Sequence, residues 1–147
     1  MSMDRITKSL LDEFSTEAAI AGLSEEDRFE HFATFLAVSR HLGETFDTRD
    51  VVTGAGGDTG IDAIAVIVNG AIVTDPELVE ELAATNGYID AAFLFIQAER
   101  SSGFDTSKIG QFGYGVADFF REKPTLPRNE AVQTAAEIMS AVYERSS

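Results

Sequence analysis

The chain has no cysteine among its 147 residues. That excludes a disulfide framework and any thiolate metal site, and a cytoplasmic protein is the expectation. Long apolar runs are missing too. None approaches the ~20 residues of a membrane-spanning helix. The opening MSMDRITKSLLDEF lacks the charged-then-apolar order of a signal peptide. Basic residues are scarce: 11 Lys and Arg stand against 25 Asp and Glu, a formal net charge of −14. Nucleic-acid binders present a basic face to phosphate, so this chain is not expected to grip DNA tightly by itself. Three readings stay open: a catalytic unit whose basic surface lies elsewhere, an interaction module, or an acidic protein whose charge serves solubility.

What is present suits one globular domain spanning residues 1–147. Hydrophobic residues make up 44% and charged residues 24% of the chain, which are not the proportions of a disordered one. Met3, Ile6, Leu10 and Phe14 are spaced as the apolar stripe of a first helix. Ser24-Glu-Glu-Asp27 reads as a capping-box variant opening a second, from Glu25 to about His41. Phe29, Phe32, Ala33 and Leu36 share a stripe there, and a deeply buried helix is expected. A strand is expected over Phe46 to Thr53 and another over Ile61 to Val68, whose β-branched run is apolar on both faces, as in a central strand covered by helices. Asn69-Gly70 signals a type I′ hairpin turn. Asp75-Pro76-Glu77 opens a helix closed by Asn86-Gly87. Ala91 to Glu99 is a further buried strand. Helices from Asp105 or Thr106 to about Glu122, and from Asn129 to Glu144, complete the order α-α-β-β-β-α-β-α-α. The expected class is α/β, a mixed β-sheet flanked by helices.

The stretch GGDTGIDAIAV places Asp62 at the mouth of the buried strand. A buried carboxylate is costly unless something pairs with it. Gln97 and Glu99 lie two apart on the other strand and so share a face. If the two strands are neighbours, Asp62, Gln97 and Glu99 meet at one sheet end. Two carboxylates and a carbonyl oxygen suit Mg²⁺ or Mn²⁺, which would offset the charge of Asp62. The plainer alternative is a turn carboxylate bonded to glycine amides. Asp58, within the glycine loop, reads as a turn residue. His31 and His41 are too far apart for a one-turn metal pair and read as structural.

These segments, with FLFIQAER and IGQFGYGVADFF, resemble the N-terminal region of the abortive-infection phage-resistance (AIPR) proteins, which look like members of the PD-(D/E)XK nuclease superfamily. The resemblance runs from Phe29 to the final helix. It is specific in Gly-Gly-Asp-x-Gly-Ile-Asp and in Phe-Ile-Gln-x. It implies a restriction-endonuclease-like fold, with Asp62 as the metal-binding aspartate, Gln97 opening the (D/E/Q)-x-K motif, and Glu30 as the motif's helical glutamate. The chain departs from the pattern at the motif lysine, where it has Glu99. Glu99 either adds a metal ligand and acts as base, or marks a degenerate site; Lys108 is the candidate to reach in from a displaced position. The function implied is hydrolysis of nucleic-acid phosphodiester bonds by an Mg²⁺ or Mn²⁺ centre in phage defence. The family's proteins are longer, so this chain is expected to be the N-terminal part of a larger protein whose remainder supplies the nucleic-acid grip. The rival expectation is a non-catalytic module that binds a protein partner or forms a homo-oligomer. No membrane partner is expected.

Overall fold

The computed structural model describes residues 4–42, 45–53, 61–98 and 106–146, with 106–109 and 146 described by their backbone alone. Along the chain run α1 (Arg5–Glu17), α2 (Glu25–Ser39), a 3-10 turn (Thr48–Asp50), β1 (Ala63–Val68), β2 (Ala71–Ile72), α3 (Pro76–Asn86), β3 (Ala91–Ile96), α4 (Thr106–Phe119) and α5 (Glu130–Ser146). The protein is a mixture of helices and a small sheet.

Local chemistry accounts for most of the boundaries. The Asp4 carboxylate accepts the Thr7 N–H at 2.8 Å and caps α1. Ser24 does the same for α2 through the Asp27 N–H. Asp75 caps α3, Pro76 sits in its first turn, and Gly87 closes it in the left-handed region at φ 76°. Asn69 and Gly70 both have positive φ, 52° and 84°, as a two-residue type I′ turn requires. Asn129 Oδ1 accepts the Val132 N–H and caps α5.

The sheet order is β2-β1-β3, and both pairings are antiparallel. Among the described residues the expected mixed sheet is therefore not found. The hairpin turn reverses β2 against β1. After α3 the chain returns on the far side of β1, again antiparallel to it. The strand expected over Phe46 to Thr53 is absent as well. Asp47 takes the Arg49 N–H at 2.9 Å, and Thr48 O takes the N–H groups of Val51 and Val52 at 3.1 and 3.0 Å. Those local bonds wind the segment into a 3-10 turn and leave only a single bridge, Val52 to Ala63.

Every residue of β1 is buried. Ile64, Val66 and Val68 pack with Val79 of α3, Phe119 of α4 and Val132, Met139 and Val142 of α5. Ala65 and Ile67 pack on the other face with Val38 of α2 and with Val51. Burying each such aliphatic side chain stabilises the fold by roughly 1.5–3 kcal/mol before entropy is counted.

Two helix faces differ from expectation. On α1, Ile6 is 75% and Leu10 50% exposed, whereas Leu11 and Ser15 are buried. On α2, Leu36 is 49% exposed while His31, Thr34 and Val38 are buried. The α1–α2 seam runs through Phe14, whose ring lies 5.4 Å from Phe32 and 5.1 Å from Phe35. α2 thus serves α1 on one side and the sheet on another, and neither demand matches a single apolar stripe.

Candidate functional site

The centre of interest is where β1 begins. The ladder pairs Ala63 with Ile96. The N–H of Asp62 also donates to Ile96 O, at 2.8 Å. Two residues, Asp62 and Ala63, therefore oppose one, which is a β-bulge. Its effect is visible in the core: Ile61 and Ile64 belong to the same apolar cluster, although residues three apart on a regular strand lie on opposite faces. The bulge breaks the alternation once and turns Asp62 to the α2 side with Ala63 and Ala65.

Asp62 is fixed by its surroundings. Ala98 donates its N–H to Asp62 Oδ2 at 2.7 Å. Thr53 donates its N–H to Asp62 O at 2.9 Å, and the Thr53 hydroxyl donates to Ile61 O at 3.0 Å. Asn129 Nδ2 donates to Thr53 O at 2.7 Å, so the residue that caps α5 also clamps this loop. Among the described residues, Ala98 at the exit of β3 supplies an amide to the Asp62 carboxylate.

Glu30, on α2, lies within electrostatic reach of Asp62. The helix opens with Glu25, Glu26 and Asp27, and Glu30 follows on the half-buried side. Its carboxyl is pushed up to about 7, first by burial and then by the charges of Asp62, Asp27 and Glu26. Among the described residues no hydrogen-bond donor or cation meets it. One turn further along the same helix, Thr34 is fully buried and its hydroxyl has no hydrogen-bond partner.

Glu30 and Asp62 are thus brought together. Gln97 stands one residue past the β3 ladder, half-buried, and its side chain makes no hydrogen bond among the described residues. Glu99 and Asp58 lie outside the described residues. Lys108 lies in the first turn of α4, and its side chain is also outside them. His31 is buried, shares a 2.8 Å hydrogen bond between Nδ1 and Thr48 Oγ1, and is held below the usual histidine range by burial and then by Arg49. That partner gives it a structural role in anchoring the 3-10 turn.

Asp118 was not legible as a special residue. It is 2% exposed and collects the N–H and hydroxyl of Thr125, at 2.7 and 2.8 Å, and the Leu126 N–H at 3.1 Å. Burial alone would raise its carboxyl, but the Thr125 and Leu126 bonds and the Arg121 charge together hold it below the ordinary range. Its task is to fold the α4–α5 connection back on itself. The sequence signal was weak: an aspartate shortly before Lys-Pro-Thr-Leu-Pro.

Burial and the nearby negative charge of Asp62 favour keeping the proton on Glu30. Hard oxygen ligands such as the Glu30 and Asp62 carboxylates suit Mg²⁺ or Mn²⁺. Among the described residues there is no group of three or more His, Asp or Glu placed to hold a metal. A complete set would need a ligand from the β3 exit. No protein-family model, curated protein or solved structure matches the chain. Among the described residues no helix is long and apolar enough to cross a membrane.

Proposed function

We propose that this chain carries a metal-dependent phosphodiesterase centre on a restriction-endonuclease-like scaffold, acting on nucleic acid in abortive-infection defence against phage. The observation that supports it is the Glu30–Asp62 pair, assembled from α2 and the bulge opening β1. Asp62, with Gln97 and Glu99 from the β3 exit, would hold Mg²⁺ or Mn²⁺. Such an ion polarises a phosphoryl oxygen and lowers the pKa of bound water. Glu30, poised near neutrality, is suited to take a proton from that water, because a general base works best with a pKa close to the working pH. Lys108 is the candidate to offset phosphate charge in place of the missing motif lysine. With a net charge of −14, this chain is not suited to supply the grip on nucleic acid by itself.

A second reading rests on a specific bond. The Ala98 N–H already stabilises Asp62, and a protonated Glu30 needs no cation. On that reading the fold is a non-catalytic module that binds a protein partner. Mn²⁺ titration by calorimetry separates the two, with wild type beside Asp62→Asn and a variant lacking surface acids elsewhere. One saturable site, lost only in Asp62→Asn, supports the metal centre. Equal loose binding by all three proteins rules it out in favour of the module.

A further inference from the structure

We propose that the outer edge of β3 pairs with the same edge of a second copy of this chain, joining two three-stranded sheets into one continuous antiparallel sheet. The sheet order leaves β3 outermost. Asn69 donates its N–H to Asp90 O at 2.8 Å, which sets the phase of the ladder. In that phase Ala92, Leu94 and Ile96 turn their backbone groups to β1, and Ala91, Phe93 and Phe95 turn theirs outward. Among the described residues, nothing bonds to those outward groups.

Monomeric proteins blunt such edges with charge, proline or bulges. β3 reads Ala-Ala-Phe-Leu-Phe-Ile and has none of these, because the bulge of this sheet lies on β1. Beside the edge lies an aromatic patch. The Phe93 ring meets Phe120 edge-on at 5.8 Å and Tyr143 at 6.5 Å. Phe120 is 38% and Tyr143 53% exposed.

The occupant follows from symmetry. The outward residues are centred on Phe93. A two-fold axis there pairs Phe93 with its own copy and Ala91 with Phe95, satisfying every outward N–H and C=O. All three side chains lie on the face that carries Phe120 and Tyr143, so the same operation lays one aromatic patch beside the other. An extended peptide could satisfy the backbone groups but brings no counterpart to that patch. The seam carries no charge, whereas each chain carries −14. Salt should therefore strengthen the dimer by screening repulsion, the reverse of a charge-driven complex.

The test is sedimentation equilibrium on the full chain at low and high salt, with hydrogen exchange read at Phe93 and Phe95. The expected result is a micromolar dimer that tightens with salt and slows exchange of both amides only when dimeric. Ala92→Lys, at an exposed position on the edge strand, should weaken it about tenfold or more by placing charge in the seam. Tyr143→Ser, on α5 and outside the ladder, removes a ring that meets Phe93 and should weaken it while leaving the strand's own residues and backbone groups unchanged. A chain that stays monomeric at millimolar concentration overturns the proposal. So does a dimer indifferent to both variants, or slow exchange at Phe93 and Phe95 in the monomer, which would mean that another segment of the chain covers the edge.

Discussion

Asp62 donates its amide to Ile96, the residue that the ladder assigns to Ala63. That one extra residue on β1 turns a carboxylate out of the α4–α5 core and toward Glu30. Without it, the alternation that buries Ile64 and Val66 would carry Asp62 into the same apolar cluster. β-bulges recur where a strand must re-aim a side chain, and the acid pair is its product here.

Glu30 should make stability fall as pH rises. Its folded-state value of about 7 lies above the ordinary 4.5. The folded chain therefore holds a proton that the unfolded chain has lost, and the contribution is full below 4.5 and gone above 7. Glu30→Gln should raise the melting temperature at about pH 8 and leave it nearly unchanged at about pH 4. Thermal melts of both proteins at the two pH values, with divalent ions chelated, check this. Mn²⁺ at the higher pH should then stabilise wild type more than Glu30→Gln.

Asp62 should separate its two roles by substitution. Asp62→Asn keeps an oxygen for the Ala98 N–H and should fold nearly as well as wild type while losing the Mn²⁺ site and any cleavage. Asp62→Ala leaves that amide unpaired and should cost about 1–3 kcal/mol more. Urea melts of the two variants, read beside cleavage assays, give both numbers. Full cleavage by Asp62→Asn would sink the mechanism.

Asp118 should govern the acid limb. Its carboxyl is held below the ordinary 3.8, so its contribution is present above that value and is lost as pH falls through the folded one. Asp118→Asn should be less stable than wild type at neutral pH, and the gap should narrow as pH drops below about 4. Melting temperature followed across that range is the measurement. A gap that stays constant would mean that the hydrogen bonds alone matter and the charge does not.

Two glycines should respond oppositely to alanine. Gly87 has φ +76° with open space where a methyl group would stand, so Gly87→Ala meets only backbone strain and should cost about 1 kcal/mol. Gly113 lies within α4, also in open space. Gly113→Ala should stabilise by about 0.5–1 kcal/mol through helix propensity. Chemical denaturation of both variants checks the pair.

Much of the frame is local and was legible along the chain. Ser24, Asp75-Pro76, Asn69-Gly70 and Gly87 each act on amides within a few residues of themselves, so their caps and turns can be read without knowing what they pack against. The run from Ile61 to Val68 is apolar on both faces because both faces are covered. What the sequence could not show depends on partners distant in the chain. Whether Ile6 or Leu11 of α1 is buried depends on where α2 lies. The Phe46–Thr53 segment has strand-like residues, but Asp47 and Thr48 capture its amides first. Asp118 looks like any helical aspartate until the chain folds back to supply Thr125 and Leu126. Composition and local spacing determined an acidic α/β chain with its helices and hairpin nearly in place. Only the tertiary structure set Glu30 against Asp62, because a bulge is a mismatch between two strands, and neither strand encodes it alone.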